Sequence, residues 1–311
     1  MFATLLEKVS LGTPRVHHNL TLTPILLSDG SLSSLEPLSL GEALAAGTLE
    51  VSEVSARGSV PELRVKSSSK VPVLILDGEE LIGAKQNRIV NVSILVPPQG
   101  EVIIPVSCIE AGRWSYTRSG FAAADRVLSQ GLRYSKADSV TRSLKEGHMR
   151  YSDQHAVWAG VGQMLDTLAT VSPTQALSDS YESRADAIDA YVAAFPLQAC
   201  QVGVIYRIDG VVAGADLFGS ERAFARAFPK LVRGSALQSL AGYKQERTAN
   251  LKEQQFLRRM LAAPTDSFPA VGMGEELRID TDDIGGGALY LNTDLVHLFA
   301  YARPSVHKEA A

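Results

Sequence analysis

Several things are scarce in this 311-residue chain, and each scarcity removes a class of protein. Only two cysteines occur, Cys108 and Cys200, so a disulfide framework is not expected and a reducing, cytoplasmic setting is the simpler reading. No long apolar run exists. The longest, such as Val73–Leu76 and Val102–Ile104, are far too short to span a bilayer, so no membrane partner is expected. The N-terminus, MFATLLEKVSLG, meets an acidic residue at Glu7 and does not read as a secretory signal. There is no basic excess: the formal charge is -4, which disfavours nucleic-acid binding through phosphates. The usual catalytic and metal motifs are missing too. His17 and His18 adjoin, and His148 and His155 are spaced like one helical face, but no HExxH pattern accompanies them, so no metal site is assigned. Gly285-Gly286-Gly287 lacks the following Lys-Ser/Thr of a P-loop and reads as a flexible entry to the last hairpin.

What is present is a chain of ordinary globular composition, 45% hydrophobic and 21% charged, able to bury a sizeable core. Its patterning predicts an α+β fold. A β-rich, sandwich- or barrel-like antiparallel part covers 1–120, and an α+β part covers 121–311; the two could equally form one continuous domain. Asn19–Leu27 reads as an edge strand because Pro24 interrupts it. Further strands are expected at Leu49–Val54, as a pair within Arg57–Lys70, at Val71–Leu76, Arg88–Val96 and Glu101–Glu110, with Asp77-Gly78 as a hairpin turn. Gly41–Ala46 suits one helical turn. Ser115–Asp138 reads as a polar junction. Helices are expected from the Ser152-Asp153 cap to Leu168, over Pro173–Phe195, from Ser220 past Phe228 with a disturbance at Pro229, and from about 235 to 261. Gln201–Ile208 and Val211–Leu217 pair across Asp209-Gly210. Leu277–Ile279 precedes a final hairpin of Ala288–Leu291 and Leu295–Tyr301.

The chemistry concentrates in Val71–Trp114, where chargeable side chains sit between strand-forming apolar runs. Strand walls with convergent polar groups are what a ligand site looks like. Glu79 and Glu80 are adjacent in a strand and so face opposite ways. One of them suits a general base or a metal-binding carboxylate; the plainer reading is an exposed hairpin flank. Lys85, Gln86, Asn87 and Arg88 suit a phosphate or carboxylate ligand, or else a solvated loop. Cys108 and Glu110 share a strand face with Arg113 close behind. A cation could activate the thiol as a nucleophile, against the plainer reading of inert packing, and Glu110 could act as a charged partner. Trp114 and Trp158 read most simply as core aromatics, and Trp114 also closes the candidate ligand-binding set.

GEELIGAKQNR (78–88), PVSCIEAGRW (105–114), HAVW (155–158) and QVGVIYRIDGVVAGADLF (201–218) together resemble the domain family named for association with ADP-ribosylglycohydrolases and rhodanese-phosphatases. The resemblance runs from about Val16 to Tyr301. It implies a link to ADP-ribose or NAD-derived metabolism by association only. It carries no catalytic role and no cofactor onto the matching residues Glu79, Glu80, Lys85, Gln86, Asn87, Arg88, Cys108, Glu110, Arg113 and Trp114. Two functions follow as expectations. The first is binding or processing of a small phosphorylated ligand, with Arg88, Lys85 and Arg113 on the anion and Glu80 or Glu110 as acid/base or divalent-ion ligand. The second is a non-catalytic protein-interaction module, of unnamed partner, in which the same residues form a structural polar network.

Overall fold

The computed structural model describes residues 2–28, 32–55, 58–116, 120–242 and 251–303. Among them are seven helices and 18 strands, an α+β fold rich in antiparallel sheet. The largest sheet joins both ends of the chain. It contains β1 (Val9–Leu11), β2 (Arg15–His17), β3 (Leu20–Leu27), β13 (Gln201–Ile208), β14 (Val211–Phe218), β15 (Thr265–Pro269), β16 (Glu275–Asp280), β17 (Ile284–Leu291) and β18 (Asp294–Ala302). Their order is β1-β3-β13-β14-β18-β17-β16-β15, with β2 also on β3.

β3 is not the edge strand that Pro24 suggests. β2 pairs with residues 20–22, β1 pairs with residues 25–27, and β13 covers the other side. Pro24 falls in the gap between the two short strands, where a missing N–H breaks no ladder bond, and its carbonyl still accepts from the Gly12 amide at 2.9 Å.

A second sheet of six strands has the order β12-β8-β9-β11-β6-β5. It comprises β5 (Leu49–Glu53), β6 (Glu62–Ser67), β8 (Glu79–Gly83), β9 (Arg88–Val90), β11 (Glu101–Cys108) and β12 (Phe121–Val127). It curls until its outer strands approach: a Cβ on Gly120 would lie 3.3 Å from the Val51 carbonyl. A third, small sheet sets β7 (Val73–Ile75) between β10 (Ile94–Val96) and β4 (Leu38–Ser39), the last in parallel. Arg57–Lys70 holds one described strand, β6, not two; Arg57 lies outside the described residues. Asp77-Gly78 does turn, with Gly78 at φ 80°, but β7 and β8 enter different sheets, so it is no hairpin. Arg88–Val96 likewise splits into β9 and β10, which enter different sheets; at the break the Asn91 side chain donates from Nδ2 to the Arg150 carbonyl and accepts at Oδ1 from the Ser107 hydroxyl.

The helices are α1 (Leu40–Ala45), α2 (Gln130–Lys145), α3 (Gln154–Thr167), α4 (Leu177–Ser183), α5 (Ala185–Ala194), α6 (Glu221–Ala241) and α7 (Glu253–Ala262). Asp153 caps α3 as expected, accepting from Ala156 N–H at 3.0 Å. α2 occupies most of what reads as a polar junction. Its inward face carries Arg133 and Lys136, which hides its periodicity from an apolar count. The expected Pro173–Phe195 helix breaks at Arg184, whose guanidinium reaches back to the Leu168 carbonyl at the end of α3. α6 runs through Pro229 without stopping. One lost backbone bond is outweighed there by a buried stripe of Phe224, Phe228, Leu231 and Val232. The expected continuation to 261 crosses 243–250, outside the described residues, before α7. Gly285–Gly287 are not a flexible entry but part of β17. A Cβ on Gly286 would lie 2.3 Å from the Phe299 carbonyl, and one on Gly287 2.6 Å from Arg278.

Three apolar cores result. One lies between the large sheet and α2–α6, one covers that sheet's other face under α7, and one fills the curled six-stranded sheet with α1. No helix among the described residues is long and apolar enough to cross a membrane.

Candidate functional site

The β8–β9 turn and the end of β11 bring most of the flagged residues into one cluster. Its centre is Glu110. Arg113 grips it with both ends, Nε to Oε1 at 2.8 Å and Nη2 to Oε2 at 2.6 Å. The Asn87 amide donates to Oε2 at 3.1 Å and the Thr174 hydroxyl to Oε1 at 2.9 Å. Burial alone would push the Glu110 pKa up; the bonds from Arg113, Asn87 and Thr174 outweigh that and hold it below the usual carboxylate range. Arg113 continues to the carbonyls of Ala84 and Ser115, each at 2.9 Å, and to Asn87 Oδ1 at 3.2 Å. The Gln86 amide donates to the Glu110 carbonyl. The turn 84–87 and the segment 110–115 are thereby laced together.

Arg88 and Cys108 face inward from paired positions of β9 and β11. Arg88 is fully buried, and burial lowers its pKa. Its Nη1 donates to Gln86 at 3.2 Å (carbonyl) and 2.9 Å (Oε1). Its Nη2 stands 3.9 Å from Glu53 Oε1. Arg88 Nε and Nη2 and both Glu53 oxygens have no hydrogen-bond partner among the described residues. Gly58 closes over them: a Cβ there would touch Lys85, Glu53 and Trp114 at 3.3–3.4 Å. Burial pushes the Cys108 thiol up to about 11, with the nearby Arg88 only partly opposing it. A buried thiol pushed up in this way is mostly protonated at neutral pH, the state of a packing cysteine more than of an activated one. Both cysteines are free thiols, Cys108 buried and Cys200 exposed.

At the surface the cluster ends in an aromatic rim. Trp114 is 47% exposed and Tyr116 56%, so Trp114 is not the core aromatic its sequence context suggests. Lys85 Nζ lies 5.5 Å from the Trp114 ring and 5.4 Å from Tyr116, and the Arg88 guanidinium lies 5.4 Å from Trp114.

Glu79 and Glu80 do point apart. Glu79 leaves the cluster: it accepts from the Leu76 amide at 2.8 Å and Lys230 at 2.5 Å, bracing the turn into β8. Glu80 pairs with Arg126 at 2.5 Å, and Arg126 lies over Tyr181 at 4.7 Å. Burial raises the Glu80 pKa more than Arg126 lowers it, and Glu110 adds repulsion. Among the described residues no group of three or more His, Cys, Asp or Glu is placed to hold a metal ion.

A second polar cluster, which sequence reasoning missed, sits between the sheets. Arg133 of α2 binds Asp216 with two bonds at 2.8 and 2.9 Å and Asp77 at 2.8 Å. Lys136 binds Asp77 at 2.5 Å and the carbonyls of Val90 and Asn91 at 3.0 and 2.8 Å. Asp216 also receives Tyr206 OH at 2.8 Å and His297 Nε2 at 2.9 Å, while His297 Nδ1 is 2.8 Å from Ser93 Oγ. Burial would raise the Asp216 pKa, but Arg133 and His297 hold it well below the usual range. As an ionised carboxylate it only accepts, so the proton it shares with His297 sits on Nε2. Burial lowers Lys136 to about 8. The available signal was a lone chargeable residue inside an apolar strand: Asp216 in VVAGADLF and His297 in LVHLFA.

Fold and site together define an α+β protein in which a curled sheet presents a braced polar cluster behind an exposed aromatic rim. The model of the ARG and Rhodanese-Phosphatase-superfamily-associated Protein domain matches residues 8–301, and the chain belongs to that family. Its name records association with ADP-ribosylglycohydrolases and rhodanese-phosphatases. No curated protein matches the chain, and no solved structure does.

Proposed function

We propose that this protein binds a small phosphorylated metabolite, of nucleotide or ADP-ribose type, at the rim formed by Lys85, Arg88, Trp114 and Tyr116. The observation that supports this is the pair of exposed aromatic rings with the half-buried Lys85 ammonium at both faces, the buried Arg88 lying behind Trp114. Such rings stack on a base, and a cation such as Lys85 meets a phosphate. The family's association with ADP-ribosylglycohydrolases agrees with a ligand of this class. Arg113 takes no part in holding the anion, because its donors serve Glu110, Asn87 and two carbonyls. If the bound molecule is turned over, Glu80 is the carboxyl suited to carry a proton, since its pKa is raised. Calorimetric titration with ADP-ribose and NAD tests the reading. Saturable binding abolished by Lys85→Ala and Trp114→Ala supports it; no heat from either sinks it.

The closed lacing around Glu110 favours a second reading, a protein-interaction module in which Glu110–Arg113 only fixes the loop that bears Trp114 and Tyr116. Under that reading the same titrations are silent. The exposed aromatics then serve a protein partner, and a pull-down lost in Trp114→Ala would show it.

A further inference from the structure

A large cavity among the described residues lies away from the flagged motifs. It is a groove of about 810 Å³ along α2, walled by α3 on one side and by the ends of α6 and β18 on the other. Its size falls in the range of small-molecule pockets, roughly 300–1,000 Å³. Small residues line it on both helices, Ser135 on α2 and Ala156 and Gly160 on α3, while Gly131 packs against Gln238 of α6, where a Cβ would lie 2.9 Å from Oε1. Gly160 lets the helices close at one point, since a Cβ there would lie 2.4 Å from Leu132. From Gly131 to Arg142 the groove follows about 16 Å of helix, so it suits an elongated molecule.

Its charges divide into committed and uncommitted groups. Lys136, at the base, is spent on Asp77. Arg303 is held by Asp138 and Asp280, and Asp138 also accepts from Tyr301. Arg142, in contrast, is exposed and makes no ion pair or side-chain hydrogen bond among the described residues. One turn before it, Ser139 Oγ accepts from the Asp153 amide at 2.6 Å, and its own proton goes to no described group. Ser135 and Gln163, both exposed on the groove, are likewise uncommitted. Beneath the groove lies the stacked pair Tyr134 and Tyr301, centroids 4.5 Å apart, with the Tyr301 hydroxyl on Asp138.

We infer that this groove is a second ligand site, which takes a small organic phosphate of nucleoside-monophosphate size. Arg142 and the hydroxyls of Ser139 and Ser135 meet the phosphate oxygens, and the organic body lies along Gln163 toward the tyrosines. A guanidinium fork with hydroxyl donors on one helix face supplies the several donors that a phosphate's oxygens accept. The site is separate from the aromatic rim and does not depend on it.

Calorimetric titration of the full chain with AMP, ribose 5-phosphate and inorganic phosphate tests this, using wild type, Arg142→Glu, Ser135→Trp and Lys85→Ala. Arg142 and Ser135 are exposed, so both groove variants should fold; unchanged melting temperatures verify it. The expected result is AMP binding that falls at least tenfold in Arg142→Glu, is lost in Ser135→Trp because the added indole fills the groove, and persists in Lys85→Ala. Ribose 5-phosphate should bind more weakly than AMP, and inorganic phosphate most weakly. Absence of AMP binding to the wild type, or AMP binding indifferent to both groove variants, would overturn it.

Discussion

Two charged clusters of this molecule invite comparison. The network of Asp77, Arg133, Lys136, Asp216 and His297 is sealed from solvent. The cluster around Glu110 reaches the surface through Arg113, Lys85, Trp114 and Tyr116. In the first, two carboxylates and two cations neutralise one another with short bonds from three parts of the chain: the turn into β8, helix α2 and strand β14. In the second, one carboxylate is saturated by local partners, and the remaining cations lie against exposed rings. Sealed charges must be balanced where they are, because an unpaired buried ion is costly. Charges at a rim keep part of their hydration and are under no such constraint. The sealed cluster is fixed by the need to neutralise its charges where they lie, and the open one is not.

That contrast breaks most visibly at Arg133. Arg133→Ala removes the cation shared by Asp216 and Asp77, leaving Asp216 to Tyr206 and His297 and Asp77 to Lys136, and a loss of about 3–5 kcal/mol is expected, enough to leave much of the chain unfolded; urea denaturation measures it. A Glu110→Gln variant should lose less, about 1.5–3 kcal/mol for its charged hydrogen bonds. Because the folded pKa of Glu110 is depressed, its contribution is present above its unfolded value and fades as pH falls through the folded one. Below pH ~4 the gap between wild type and Glu110→Gln should shrink. If Glu110→Gln proves as damaging as Arg133→Ala, the distinction drawn above fails.

Lys136 sharpens it from the other side. Its folded pKa of about 8 lies below its unfolded value, so the unfolded chain binds the extra proton, and stability should rise with pH from 8 to about 10.5. Lys136→Met should remove that rise in pH-dependent melting. At the rim the expected effects on stability are smallest: Lys85→Ala and Trp114→Ala should cost about 0.5–1 kcal/mol while losing ligand. A probe without mutation adds to this. At pH 8 iodoacetamide should label Cys200 and spare Cys108, whose thiol is buried and pushed up to about 11; mass spectrometry after brief exposure decides it.

The sequence made the open cluster legible and the sealed one almost invisible, for a physical reason. Lys85, Gln86, Asn87, Arg88, Glu110 and Arg113 are close along the chain, so their polar density shows as a local pattern. Asp77, Arg133, Asp216 and His297 come from distant elements, so no local pattern joins them, and Asp216 and His297 each appear alone among apolar neighbours. The hairpin announced by Asp209-Gly210 and the final one between Ala288–Leu291 and Leu295–Tyr301 were readable because turn chemistry is local. The role of Pro24 was not, since it depends on β1 and β2 dividing one side of β3 between them. Helix α2 was hidden by the polar side chains it turns inward.

The pairing of β3 with β13 bears on how the chain is made. Leu20–Leu27 leaves the ribosome early, but its long partner Gln201–Ile208 emerges only after both smaller sheets and five helices have been synthesised. Until then an apolar strand has one side covered by β1 and β2 and the other bare, the kind of edge on which nascent chains stick to one another. A polypeptide released before residue 208 should be insoluble even when its curled sheet is complete.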